Sequence, residues 1–314
     1  MTSAWLGVVI ALVGAFAYAL GASVQHLDAV ELGATPKLMR RRRWWIGGAI
    51  SFTGAGLHAL ALAMAPLTVI QPISMTTLVY AVPLAAKLYG RKPGRRELMG
   101  ALAVAIGLAG LMLLMPVQNS TPHLGEPVAV TFLVGVLAFV AVTLLVGRKM
   151  PGRWRAFVYA MGAGISTGTV STFVRLVGAG LDEDFAGILH WFTLVVPVML
   201  VVATVMLQTA YAVGYFGIAY TASQIFDPVI SVLAGASLLG EPLPTDPRLA
   251  VPAALCGLLL AAGTVVLGRH TPYASGEKTV LQVSDTLGEA LDGDMPSQRE
   301  RSEPVVAGTS RRNG

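Results

Sequence analysis

A chain of 314 residues with 54% hydrophobic and only 12% charged side chains is not a soluble domain, since such domains carry roughly 25% charged residues. The net charge of +5 does not point to nucleic acid, because Lys and Arg cluster in short loops between apolar runs. The one cysteine, Cys256, excludes an intramolecular disulfide and reads as a small core residue.

A membrane-spanning helix needs about 20 apolar residues. Nine such runs occur, near 3–24, 44–65, 67–88, 97–115, 127–147, 156–178, 189–213, 221–240 and 249–268. The first has no basic residue before it, so it reads as a retained span and not a cleaved signal peptide. Gln25, His26 and Asp28 close it and read as solvated loop. Lys37 and Arg40 to Arg43 follow the first span, Arg91, Lys92, Arg95 and Arg96 the third, and Arg148, Lys149, Arg153 and Arg155 the fifth. The intervening loops hold no Lys or Arg at 116–126, and Asp182, Glu183 and Asp184 at 179–188. The positive-inside rule then puts the N-terminus outside and the C-terminus in the cytoplasm of a multi-pass cytoplasmic-membrane protein, with Arg248 the exception. Spans seven and eight form a nearly continuous run. Residues 271–314 are rich in Ser, Gly, Glu, Asp, Arg and Pro and read as a disordered cytoplasmic tail.

Small residues recur every fourth position in three spans: Gly7, Ala11, Ala15, Ala19 and Ser23; Gly47, Ser51, Ala55, Ala59 and Ala63; and Ala160, Gly164, Gly168 and Thr172. Such stripes let helix backbones approach closely in lipid. Trp5, Trp44, Trp45, Trp154 and Trp191 fall at span ends, where interfacial belts place them. Lys87 and Arg175 lie near span ends, where long basic side chains snorkel to the interface.

Span eight carries Asp227, followed at once by Pro228. A carboxylate inside a bilayer span is costly and marks a functional or paired site. Proline lacks an N–H, so the Gln224 carbonyl loses its helix partner beside it. Shifting the chain by 150 residues lays spans one to four on spans six to nine. Gly14 falls on Gly164, Val24 on Val174, Val79 on Val229 and Gly107 on Gly257. Paired spans are five apart, so the halves point in opposite directions. That is an inverted repeat with span five as connector, a signature of secondary transporters. The expected units are 1–115, 116–155, 156–270 and the tail 271–314. The repeat also pairs His58 with Gln208, Gln71 with Thr221, Ser74 with Gln224 and Thr77 with Asp227. Pro72 and Pro228 are expected to interrupt their spans near the midplane, where substrate sites of such folds lie.

The fold expected is therefore an all-α integral membrane protein of about nine helices in two inverted four-helix repeats plus a connecting helix. The candidate substrate-binding residues are Asp227, His58, Gln71, Gln208, Gln224 and Tyr211, with Tyr18 adding to a cavity wall. Asp227 and His58 are the ionisable participants, since a histidine changes charge near neutral pH. No Walker lysine loop, Gly-x-Ser-x-Gly, His-Glu-x-x-His or cysteine pair occurs. The chain thus reads as no enzyme and no ATP-driven pump, with no cofactor. The expected partners are the lipid bilayer and a small-molecule or ion substrate; a homodimer stays open.

The stretch WWIGGAISFTGAGLHALALAMAPLTVIQPIS with GRKPGRRELMGALAVAIGLAGLMLL, and the stretch TASQIFDPVISVLAGASLLGEPL, resemble the drug/metabolite transporter superfamily, EamA-like. The nine spans and AMAPLTVIQP resemble its NIPA-type branch, some of whose members are described as magnesium transporters. The resemblance covers about residues 3–268. It implies two inverted repeats around a central cavity and transport by alternating access, of amino acids, nucleotide sugars, drugs or ions. NIPA-type proteins carry an acid after Gly-Ala-Gly in the second span; here Gly54-Ala55-Gly56 is followed by Leu57 and His58. Magnesium favours octahedral oxygen ligands, usually carboxylates, and Asp227 would be its one such ligand. The expected function is a secondary transporter of a small metabolite, proton-coupled through Asp227 and His58. The alternatives are a NIPA-type magnesium transporter and a scaffold or regulator that no longer transports.

Overall fold

The computed structural model describes residues 2–65, 67–114, 126–181, 191–238 and 246–269. The tail at 271–314 and the loops at 116–125 and 182–190 lie outside the described residues. Ten α-helices and no strand occur among the described residues. They are α1 (Thr2–Leu32), α2 (Arg42–Met64), α3 (Leu67–Ser74), α4 (Thr76–Leu88), α5 (Arg95–Leu113), α6 (Glu126–Lys149), α7 (Gly152–Leu181), α8 (Phe192–Ala212), α9 (Phe216–Leu238) and α10 (Pro247–Gly268). All but α3 and α4 are long and apolar enough to cross a membrane, eight in all. Large apolar side chains such as Phe52, Leu194 and Val251 are exposed on the outer surface, as a lipid-facing bundle requires.

Helices α1 and α7 are the hubs. The first packs along α2 and α4, the second along α8 and α9, and α5 packs along α10. The α1–α2 seam is antiparallel and very close. A Cβ on Gly14 would lie 2.9 Å from the Gly54 carbonyl oxygen, and one on Gly54 would lie 2.6 Å from the Tyr18 nitrogen. One heptad along, a Cβ on Gly21 would meet the Gly47 carbonyl at 2.4 Å. The α5–α10 seam repeats the device, with Gly100 against Gly263 and Gly107 against Cys256. Such contacts replace hydrophobic association, which lipid does not drive.

The second small-residue stripe does not line a seam throughout. Gly47 is buried, but Ala55, Ala59 and Ala63 are exposed, and the buried small residues of α2 are Gly47, Gly54 and Ala61. A four-residue step gains about 40° on a 3.6-residue helix each time, whereas a seven-residue step loses only about 20°. The stripes of α1 and α7 stay buried because these hubs are covered on several sides.

Three boundaries differ from expectation. The first helix does not stop at Val24 but runs to Leu32, and His26 and Asp28 are fully buried rather than looped in solvent. The third span is two helices parted at Met75. Pro72 and Pro83 remove two N–H donors, and around the break Met75 N–H donates to Pro72 O and Leu78 N–H to Met75 O, both at 3.2 Å. By contrast, Pro228 does not interrupt its helix: α9 runs through it, and the Ser231 hydroxyl donates to the Asp227 carbonyl at 2.9 Å. The turn between α8 and α9 comes at Gly214, whose φ of +89° only glycine adopts freely. At the end of α4, Gly90 (φ +69°) lets Arg91 N–H reach Ala86 O and Gly90 N–H reach Lys87 O, the Schellman closure.

Apart from Arg175 and Arg248, the basic residues of the described helices and loops gather at one end of the bundle, at the ends of α1, α4, α6 and α10 and the starts of α2, α5 and α7. Lys87 in the last turn of α4 is exposed there, as snorkelling requires. Arg175 lies in α7 with its side chain outside the described residues.

Candidate functional site

Asp227 lies eleven residues beyond the start of α9, about 16 Å along its axis. That is near the middle of a hydrocarbon core about 30 Å thick. Its side chain is half-buried, and among the described residues no hydrogen bond or ion pair reaches its carboxylate. Tyr18 of α1 lies within electrostatic reach of it. One turn back on α9, the Gln224 amide donates to the Thr77 hydroxyl of α4 at 3.3 Å. Thr77 is the second residue of α4, so the break in the third span, Gln224 and Asp227 share one depth.

From this level the interior becomes more polar than its partners can satisfy. Gln208 and Tyr211 of α8 and Tyr220 and Thr221 of α9 are buried. Gln208 Oε1, Tyr211 Oη and Thr221 Oγ1 have no hydrogen-bond partner among the described residues, and the Tyr220 hydroxyl lies beside Thr77. Tyr18, Tyr211 and Tyr220 lie close to one another. Unsatisfied buried polar atoms are rare in folded proteins and mark places where water, an ion or a ligand completes the site.

Five candidates can therefore be placed. Asp227, Gln224, Tyr211 and Gln208 belong to α8 and α9; Gln224 meets Thr77, and Asp227 and Tyr211 lie near Tyr18 of the N-terminal half. His58 does not join them: it is half-buried on α2, where its backbone lies against Gly14, and α2 packs on α1 and α3. Gln71 falls in α3 with its side chain outside the described residues. No group of three His, Cys, Asp or Glu side chains able to hold a metal occurs among the described residues.

Toward the basic end lies a ring cluster that sequence reasoning missed. His26 of α1 is fully buried, with Nδ1 3.3 Å from the hydroxyl of Tyr89 just after α4. Its ring lies 5.5 Å from Tyr89, 5.5 Å edge-on from Tyr211 and 4.7 Å from Phe216. Tyr211 lies 5.5 Å from Phe216, which stacks on Tyr220 at 5.4 Å. Beyond it Asp28, fully buried, takes two hydrogen bonds from Arg43 on one oxygen, from Nε at 2.9 Å and from Nη2. Arg43 also reaches Glu31 at 3.3 Å, and Arg41 closes on Glu31 at 2.5 Å. The signal was present in the α1 stripe: continued at helical spacing through Ala22, it reaches His26 and Ala29, all buried.

The chain is similar to a protein of Corynebacterium glutamicum described as uncharacterized, at 26% identity over 303 residues covering 88% of this chain and 100% of the relative. No family model and no solved structure matches it.

Proposed function

We propose that the chain is a secondary transporter of the drug/metabolite type, which moves a small solute across the cytoplasmic membrane by alternating access. Asp227 takes the proton or the positive charge that the cycle carries. The observation that carries this reading is Asp227 itself: an acid at mid-depth, half-buried, with no cation beside it among the described residues. A charge so placed is costly unless a bound cation or proton compensates it during function. Gln224, Tyr211, Gln208 and Tyr18 supply hydrogen-bonding groups around it. The end rich in Lys and Arg is the cytoplasmic one.

The packing supports two inverted halves. In a two-fold arrangement, if residue i meets j of the other half, then j meets i. Moved back by 150 places, Gln224 falls on Ser74, so its bond to Thr77 joins neighbouring positions on either side of the break at Met75. At the level of whole helices, the shift lays α1 with α2 and α4 on α7 with α8 and α9, and in each half the first helix packs along the other two. The magnesium alternative draws on resemblance to NIPA-type proteins, with Asp227 as its one carboxylate.

The test is purified protein in proteoliposomes, challenged with panels of amines, amino acids, nucleosides and divalent cations while lumenal pH is read. Solute-driven proton movement that is lost in Asp227→Asn supports the proposal. Solute movement that Asp227→Asn leaves intact sinks the site, and no movement for any panel member sinks the function.

A further inference from the structure

The basic end is unevenly neutralised. In the turn between α1 and α2, Asp28 and Glu31 take up Arg43 and Arg41. Between α6 and α7, Arg155 Nε donates to the Gly147 carbonyl at 3.2 Å and the Met150 carbonyl at 3.1 Å. The turn between α4 and α5 has one carboxylate, Glu97, and it is already filled. Buried, it accepts both Arg91 Nη groups at 2.7 Å and the Gly94 N–H at 2.8 Å. Lys87, Lys92, Arg95 and Arg96 stand exposed around it, and no carboxylate among the described residues pairs with them. The chain leaves the bundle at this corner. The last turns of α10 pack on the start of α5, where a Cβ on Gly100 would lie 3.1 Å from Val266 Cγ1 and 3.2 Å from Leu267 Cγ. Arg269, just past α10, therefore lies on the same side of the molecule as the four exposed cations.

Beyond Arg269 the sequence contains a stretch, 279–298, that holds Asp285, Glu289, Asp292 and Asp294 and no Lys or Arg. We infer that this acidic stretch docks on Lys87, Lys92, Arg95 and Arg96, as a partner of opposite charge within the same chain. Asp285 lies sixteen residues beyond Arg269, and that much chain spans up to about 50 Å, ample to reach the turn between α4 and α5. An isolated exposed ion pair is weak. Four acids on a tether meet four cations at an effective concentration of about millimolar, so they act together where a free peptide would not. The contact ties the end of α10 to the end of α4 and the start of α5 by charge, which makes it sensitive to salt. Anionic lipid headgroups are the competing source of negative charge at the cytoplasmic surface. They must be gathered singly from the leaflet, whereas the stretch brings its acids already linked. Nothing in this contact depends on the transport reading.

The experiment joins carboxylates to lysines with a zero-length carbodiimide in full-length protein held in phosphatidylcholine nanodiscs, and maps the linked peptides by mass spectrometry. The expected result is a link from Lys92 or Lys87 to the 285–294 stretch. In a mixture of isotopically light and heavy protein, both linked peptides should carry the same label, as a contact within one chain requires. Arg95→Gln with Arg96→Gln, both exposed positions, should lower the yield at least fivefold. Salt at about 0.5 M should do the same, because it shortens the screening length. The link should persist when phosphatidylglycerol makes up about one third of the lipid. Links joining light to heavy chains would overturn the inference in favour of a second copy. Loss of the link in phosphatidylglycerol would assign the face to lipid headgroups instead. No link at all, or a yield indifferent to both the arginine changes and salt, would also sink the proposal.

Discussion

Two aspartates in this bundle have opposite surroundings. Asp28, near the basic end of α1, is fully buried and receives a guanidinium that is itself 7% exposed. Asp227, half-way along α9, is more exposed yet has no such partner among the described residues. A buried acid with its cation in place is a structural fixture, costly to break from one side. An acid held at mid-depth without one is a cost the fold carries for some other reason. The contrast separates what holds the chain together from what it works with.

The largest effect should come from Arg43→Met, which strands Asp28. We expect a loss of about 3–5 kcal/mol, read as a fall in unfolding midpoint in detergent. The double change Asp28→Leu with Arg43→Met should recover most of it, and failure to recover would mean the pair does more than balance charge. Next comes Gly54→Val, which drives side-chain atoms into the α1 backbone at Tyr18 and Gly14. Overpacking of this kind costs about 1–3 kcal/mol. It should also lift α2 from α1 and draw Arg43 away from Asp28, detectable as non-additivity with Arg43→Met. Asp227→Asn should leave the unfolding midpoint unchanged or raised, because it removes a charge that has no partner. The stabilisation that a bound solute gives the wild type should vanish with it. A large loss of stability would instead make Asp227 a second Asp28. The smallest effect belongs to His58→Ala, expected within about 0.5 kcal/mol and with transport retained, since α2 keeps His58 apart from the α8 and α9 residues.

Much of this contrast is legible in the sequence. Asp227 stands out because an acid inside an apolar run has no bland place to go, and its depth follows from counting residues along a helix. Asp28 was misread because its partner arrives from another helix. Gln25, His26, Asp28 and Glu31 lower local hydropathy enough to resemble a loop, and only the folded position of Arg43 reverses that. The break at Met75 was half visible through Pro72, whereas Pro228, with the same chemistry, leaves its helix whole. Removal of one N–H permits a break; packing decides whether it happens. Gln208, Gln224 and Tyr211 were legible as polar groups in spans. The ring cluster was not, because Tyr89, Phe216 and Tyr220 sit at helix ends, where aromatic residues are also expected at an interface.

The two hubs are also the longest helices, at 31 and 30 residues for α1 and α7, or about 45 Å each. The hydrocarbon layer is about 30 Å thick, so each must lean or protrude. Helix α5, at 19 residues, fits that layer with almost nothing to spare. Bilayer thickness therefore acts unequally on the molecule. Longer acyl chains would draw α1 and α7 upright while α5 and α10, held glycine to glycine, stay fixed. Lipid length is thus a lever on the angle between the two halves, applied at α7 and at α1, the helix that carries both His26 and Tyr18.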